Sequence, residues 1–215
     1  TLDKEYVKSL CNEIEKQGLD ITWEGWTRAD TVDYDILQTM KKAGFIRVSF
    51  GIETGNPEIM KVLKKGVTLE QIKKAYSIAK SIGIETRGSL ILGNPYETKS
   101  TVKDTLKFIK DLKYCDQIHI NIMTPYPGTE LSDMAERGEG GLEILTNDYR
   151  EYQRYGHSVI KVNDLEPKDL VRYQKLGFLM FYFHPKRIVY NLNRAGVKAG
   201  ITNAVAFIKS MVGIR

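Results

Sequence analysis

The chain has 215 residues, enough for one sizeable domain or one domain with a small appendage. Hydrophobic residues make up 42% and charged residues 27%, as in ordinary globular proteins, and no apolar run approaches the roughly 20 residues that span a bilayer. The net charge of +5 comes without any block of about five or six Lys/Arg, so nucleic acid is not expected as a partner and groups such as Lys61, Lys64 and Lys65 read as solvated helix faces. Cys11 and Cys115 lie outside any ligand-spaced motif and read as small apolar residues, and His119, His157 and His184 are scattered; no metal site is expected within these residues. The polar start Thr1-Leu2-Asp3-Lys4-Glu5 lacks a signal-peptide core, and a soluble, cytoplasmic protein is the expectation.

Tyr6, Val7, Leu10, Cys11 and Ile14 share one face of a helix predicted over 4–18, with Gly18 at its end. Residues 20–26 read as a strand rich in aromatic and β-branched side chains. Asp33 caps a helix to Ala43, Gly44 ends it, and 45–52 form a second strand. A short helix follows from Asn56. Thr68 opens a longer one to about Ser81, then come a strand over 84–92, a helix from Lys99 to about Leu112, and a strand over 117–123. In that last strand Ile118, Ile120 and Ile122 share one face and His119 and Asn121 the other; the pattern does not say which face is inward.

The order helix–strand repeats four times, which implies a parallel sheet with helices packed outside it. The fold expected is α/β: a partial barrel, truncated at its N-terminus, with a helical C-terminal tail. A complete eight-unit barrel takes about 250 residues, and here the rhythm stops near residue 137. Arg137-Gly138-Glu139-Gly140-Gly141 is a joint, which divides the chain into 1–137 and an extension over 138–215. In the extension, 147–162 has no period, Glu166-Pro167 starts a helix, Pro185 opens another, and 201–212 forms a last apolar one.

Ligands of parallel α/β folds sit at the C-terminal ends of the strands. Arg28 follows the first strand and offers a fixed cation for a carboxylate; an ion pair with Asp30 or Glu53 is the structural alternative. Glu53 follows the second strand between Gly51 and Gly55, and its carboxylate suits hydroxyl donors; otherwise it is a loop acid near the next helix. The third strand leaves through Gly93 and Pro95. The fourth leaves through Thr124-Pro125-Tyr126-Pro127-Gly128-Thr129, where Tyr126 either lines a substrate or serves the loop.

Six segments occur in order: Trp23 to Asp30, Met40 to Phe45, Gly51-Ile52-Glu53-Thr54-Gly55, Leu63-Lys64-Lys65-Gly66-Val67-Thr68, Ile91 to Thr98, and Pro125 to Thr129. Over residues 1–135 they resemble the radical S-adenosylmethionine (SAM) superfamily, and most of all its branch with a cobalamin-binding domain. Phe181 to Arg187 is also similar to that branch.

The resemblance implies a partial (β/α)6 barrel. A three-cysteine loop binds a [4Fe–4S] cluster, which reduces SAM to a 5′-deoxyadenosyl radical. It implies cofactor contacts at Arg28, at Glu53 near the ribose, at Lys65 near the SAM carboxylate, and at Ser89, Ile91 and Gly93 along the adenine. Lys65 as one more helix-surface lysine is the alternative. Ser89 stands where glycine is common, and Glu97 sits one residue later than the usual spacing. No radical-transfer or other catalytic residue is identified. By the same resemblance the chain starts after the barrel's second strand, so the cluster ligands and any cobalamin domain lie outside it. A fragment is expected, or a chain completed by another, inactive alone. Its partners are then the missing N-terminal segment, an electron donor and an unknown substrate.

The reaction implied is SAM cleavage leading to cobalamin-dependent methyl transfer or cyclisation. The rival readings are an RNA-modifying, methylthiotransferase-like enzyme of the same superfamily and a non-catalytic α/β binding module. No P-loop or nucleophile elbow is present in the sequence.

Overall fold

The computed structural model of the chain describes residues 3–185 and 187–189, so the helix expected over 201–212 lies outside the described residues. In chain order the elements are α1 (Lys4–Lys16), β1 (Trp23–Thr27), α2 (Tyr34–Lys42), β2 (Phe45–Glu53), α3 (Pro57–Val62), α4 (Leu69–Ile82), β3 (Glu85–Leu92), α5 (Lys99–Asp111), β4 (Gln117–Ile122), α6 (Glu130–Glu136), β5 (Leu142–Ile144), β6 (Ile160–Val162) and α7 (Pro167–Tyr182). Local chemistry sets most of these boundaries. Asp3, Asp33, Asn56 and Thr68 cap their helices through the side-chain oxygen, and Thr68 and Gln71 complete a capping box. Gly83 ends α4 in the left-handed conformation that an L side chain resists.

Strands β1 to β4 form one sheet in sequential order, and β1–β2 and β2–β3 pair in parallel. The alternation of helices and parallel strands makes this the α/β architecture of a partial barrel, with a helical tail after it. Two compact units divide the chain: 1–91 with 111–119, and 92–110 with 120–215; residue 137 lies inside the second.

In the first unit Val48, Phe50, Ile52 and Leu90 of the sheet are buried, as are Ile36, Leu37, Ile72 and Tyr76 of the helices. Phe50 and Tyr76 meet edge-on at 5.0 Å. Gly88 is small by necessity: a Cβ there would lie 2.8 Å from Ile52, Tyr76 and Ile118 side-chain atoms. The opposite sheet face is polar. The register sets Glu24 beside Arg47 and Arg47 beside Glu85. Arg47 pairs with Glu24 and, at 2.7 Å, with Glu85, while Arg87 bonds Gln117 Oε1.

In the second unit Leu106, Ile109, Ile120, Ile122, Leu142, Ile160 and Leu170 are buried. Helix α7 approaches closely through Gly177, where a Cβ would lie 2.6 Å from Ile120 Cδ1 and 2.9 Å from Leu106 Cδ2. The side left open by the alternation in β4 is thereby answered: the isoleucines are buried, and His119 and Asn121 are half-buried on the other face. Strands β5 and β6 pair antiparallel, and a single turn over Tyr149–Glu151 lies between them, in the stretch without period.

Candidate functional site

The C-terminal ends of β1 and β2 carry a compact group of four charges. Thr27 is in register with Phe50, so the residues after each strand leave side by side. Arg28 grips Asp30 with two bonds, Nε to Oδ1 at 3.0 Å and Nη2 to Oδ2 at 2.9 Å. The same Nη2 donates to the backbone oxygen of Lys65 at 3.0 Å. Lys65 Nζ in turn donates to Glu53 Oε1 at 3.0 Å, and the two side chains are only 17% and 23% exposed. The Arg28 bonds hold Asp30 below the usual carboxylate range against its partial burial, with the Lys65 charge adding a smaller share, and Asp30 raises Arg28 in return.

The backbone explains how Glu53 reaches this position. Pairing between β2 and β3 shifts register between Gly51 and Glu53, and Glu53 has φ of 65°, in the left-handed region. That conformation costs a non-glycine residue roughly 1–2 kcal/mol. The Glu53 carboxylate lies back over Gly51, where a Cβ would collide with Glu53 Oε1 and come within 3.0 Å of Lys65 Nζ. Lys65 is not a helix-surface lysine. Helix α3 ends at Val62, Lys64 has φ of 49°, and Gly66 also has positive φ, so the chain turns to bring Lys65 inward.

The structure thus gathers Arg28, Glu53 and Lys65, and adds Asp30. Arg28 bonds Asp30 and the Lys65 carbonyl, which makes it a brace for the Lys65 loop. Ser89 pairs with Gly51 across β2–β3 and is 9% exposed, and Ile91 is half-buried two residues on. Gly93 belongs to the other unit, with φ of 89° and the Ile160 and Leu170 side chains against it.

The turn after β3 holds a group that spacing alone left open. Glu97 is wholly buried, and its Oε2 accepts from Gly93 N at 2.6 Å and Asn94 N at 3.1 Å. Its Oε1 is the one buried side-chain oxygen or nitrogen among the described residues with no hydrogen-bond partner. Burial pushes this carboxyl up to about 7, although the Gly93 and Asn94 amides and the Asn94 side chain pull it down. One residue later than expected, Glu97 therefore fixes the turn through its backbone.

The four-charge group fits SAM by its donor set. A carboxylate offers about four acceptor sites and an ammonium three donors, so the Glu53–Lys65 bond leaves capacity on both for ribose hydroxyls and a carboxylate. The cysteines do not fit an iron–sulfur cluster. Cys11 is buried on α1 with its thiol raised by burial and then by Glu15, and Cys115 is buried before β4. Among the described residues no three His, Cys, Asp or Glu gather to hold a metal, and no helix is long and apolar enough to cross a membrane.

The family model described as "Radical SAM superfamily" matches residues 1–109, just over half of the chain. The chain is 32% identical to an uncharacterized methyltransferase of Pyrococcus horikoshii over 192 residues, 89% of this chain and 41% of that protein. It is 26% identical to the anaerobic magnesium-protoporphyrin IX monomethyl ester cyclase of Rubrivivax gelatinosus, over 88% of this chain and 33% of that one. Its fold is similar to that of the radical SAM methyltransferase TsrM of Kitasatospora setae, solved with cobalamin and a [4Fe–4S] cluster bound. That match has a TM-score of 0.55 and 21% identity, and covers 66% of this chain and 28% of that one. The chain spans about two fifths or less of the length of these relatives.

Proposed function

The chain belongs to the radical SAM superfamily, and from that premise we propose that it supplies the SAM-holding strand ends of an enzyme that uses cobalamin for methyl transfer or cyclisation. The superfamily uses SAM and a [4Fe–4S] cluster. Bound together, the two supply a one-electron cleavage that starts radical chemistry. This chain's residues bind and orient. Glu53 accepts the ribose hydroxyls, Lys65 meets the SAM carboxylate, and Arg28 with Asp30 holds the Lys65 loop in place. Ser89 and Ile91 bound the adenine. The division proposed is a barrel part over 1–137 and an extension over 138–215.

The observation that carries this reading is the Glu53–Lys65 pair lying over the bare backbone of Gly51. An oriented donor–acceptor set beside an uncovered backbone is what recognition of a small zwitterionic nucleoside requires. The cobalamin assignment draws on the TsrM structure solved with cobalamin bound, and the choice of methyl transfer or cyclisation on the methyltransferase and cyclase relatives. The methyltransferase and cyclase relatives align over 89% and 88% of this chain, which favours this reading over the RNA-modifying alternative. The test is anaerobic reconstitution of the full-length protein with an assay for 5′-deoxyadenosine. Production by the wild type, with loss of at least tenfold in Glu53→Gln, supports the reading. Absence of the product, or an unaffected variant, contradicts it.

A further inference from the structure

Helix α7 has a firmly held inner face. Leu170, Gly177 and Phe181 are buried there. Gln174, 3% exposed, donates from Nε2 to Ile120 O at 2.7 Å and Arg154 O at 2.9 Å, and its Oε1 accepts from Gly156 N at 2.9 Å. The helical period then puts Lys168, Arg172, Lys175, Leu176 and Leu179 on the opposite face, with Phe183 at its end. An outward helix face is ordinarily polar, but Leu176, Leu179 and Phe183 are 40%, 38% and 46% exposed, and Ile188 and Val189 after them are exposed as well. Lone exposed leucines need no explanation; a row of apolar side chains along one helix marks a contact surface.

The same face is basic. The acids at the start of α7 are engaged by lysines from outside the helix: Glu166 pairs with Lys161 at 3.2 Å and Asp169 with Lys99 at 3.1 Å. No Asp or Glu follows Asp169 in the sequence. Residues 170–215 hold eight Lys or Arg, so the net charge of +5 combines +8 in this stretch with −3 over the rest of the chain. Such segregation of charge points to an anionic partner. Lys168, Arg172 and Lys175 line a groove together with Val171, Leu176 and Leu179. The cations therefore stand beside the leucines on one face, not across the helix from them.

We propose that the outward face of α7 docks on the surface of an anionic lipid bilayer, with phosphate headgroups meeting Lys168, Arg172 and Lys175 and the acyl boundary taking Leu176, Leu179 and Phe183. Charge and side-chain type together choose this occupant. Lys and Arg stems run along apolar surface while their heads reach phosphate, so a face that mixes cations with leucines matches the boundary between headgroups and acyl chains. Residues 190–215 of the chain carry no acid and cannot neutralise the three cations. A second copy meeting the same face would set cation against cation. A single-stranded nucleic acid calls for aromatic rings among the cations, on which bases stack; here the side chains beside them are aliphatic. The docking is peripheral, since among the described residues no helix is long and apolar enough to cross a membrane. The inference goes beyond the SAM-holding role and does not depend on it.

The test is cosedimentation of the full-length, reconstituted protein with vesicles of phosphatidylglycerol and phosphatidylcholine in equal parts, or of phosphatidylcholine alone. SAM affinity and a thermal melt are measured alongside. The wild type is expected to bind the mixed vesicles roughly tenfold or more tightly than the neutral ones, and to lose that advantage as salt is raised. Arg172→Gln combined with Lys175→Gln should weaken binding to the mixed vesicles by roughly tenfold or more. Leu176→Ser combined with Leu179→Ser should weaken it by about as much while the salt dependence remains. Both pairs should leave SAM affinity unchanged and lower the melting temperature only slightly. No binding to the mixed vesicles, equal affinity for the neutral ones, or wild-type affinity in either pair of substitutions overturns the proposal. Preference for a single-stranded RNA over the vesicles overturns it too and assigns the face to nucleic acid. A protein that binds SAM but ignores the vesicles would sink this inference alone and leave the reading of the strand ends standing.

Discussion

Lys65 Nζ lies 3.0 Å from Glu53 Oε1, although 12 residues and the whole of α3 separate the two in the chain. The pair is more covered than a surface ion pair and less than a core one, so its loss should fall between the two ranges. Lys65→Met and Glu53→Gln in the full-length protein are each expected to lower stability by about 1–3 kcal/mol. The double variant should cost less than the sum of the two. A double-mutant cycle by chemical denaturation measures this coupling; strict additivity would mean that the pair contributes nothing.

Gly51→Ala separates holding a ligand from holding the fold. The added methyl would meet the Glu53 carboxylate and the Lys65 ammonium, both at the far ends of flexible side chains. Those ends can swing away, so the melting temperature should fall only slightly, by the equivalent of less than about 1.5 kcal/mol. The oriented pair is displaced, however, and SAM affinity should drop about tenfold. Isothermal titration alongside a thermal melt checks both halves.

Glu97 predicts a pH dependence of unusual sign. Its carboxyl is raised from 4.5 to about 7 in the folded chain. The native state therefore holds a proton that the unfolded state has lost between those values. The stabilisation is fully present below 4.5 and is lost as the pH rises through 7. Between pH 5 and 8 stability should fall by roughly 2–3 kcal/mol. Asp30 and Asp33 are lowered and titrate beneath that window. Glu97→Gln keeps an acceptor for the Gly93 and Asn94 amides and should flatten the profile. Denaturation at several pH values reads the difference, and an equally steep profile in the variant would assign the slope to other groups.

Gly177 tests the approach of α7. Alanine there would press only on the ends of the Ile120 and Leu106 side chains. The roughly 1 kcal/mol gained in helix propensity should offset much of that contact, leaving a change within about 1 kcal/mol. Valine cannot be absorbed in this way and should cost about 1–3 kcal/mol or more. Equal melting temperatures for the two variants would contradict the close packing described.

The strands and helices of the sheet were legible because their signals are local: capping at Asp33 and Thr68, glycines after helices, and uninterrupted apolar runs. Arg28, Glu53 and Lys65 could be picked out as residues at strand exits, yet spacing could not show that Lys65 leaves α3 and turns inward. That depends on backbone at Lys64 and Gly66 with positive φ. Nor could it show Arg28 acting as a brace, since its partner is a backbone oxygen 37 residues away. The short strands β5 and β6 escaped because each has three residues, too few for any periodicity. Gln174 has no signal of its own; its role lies wholly in contacts with Ile120, Arg154 and Gly156.

Equilibrium SAM binding by the anaerobically reconstituted full-length protein, wild type against Lys65→Met, tests the proposed site most directly. The cluster's visible absorbance serves as a control for intact assembly. The strand-end site predicts at least a tenfold loss of affinity with the absorbance unchanged. Equal affinity in the two proteins would remove Lys65, and with it the four-charge group, from the SAM site.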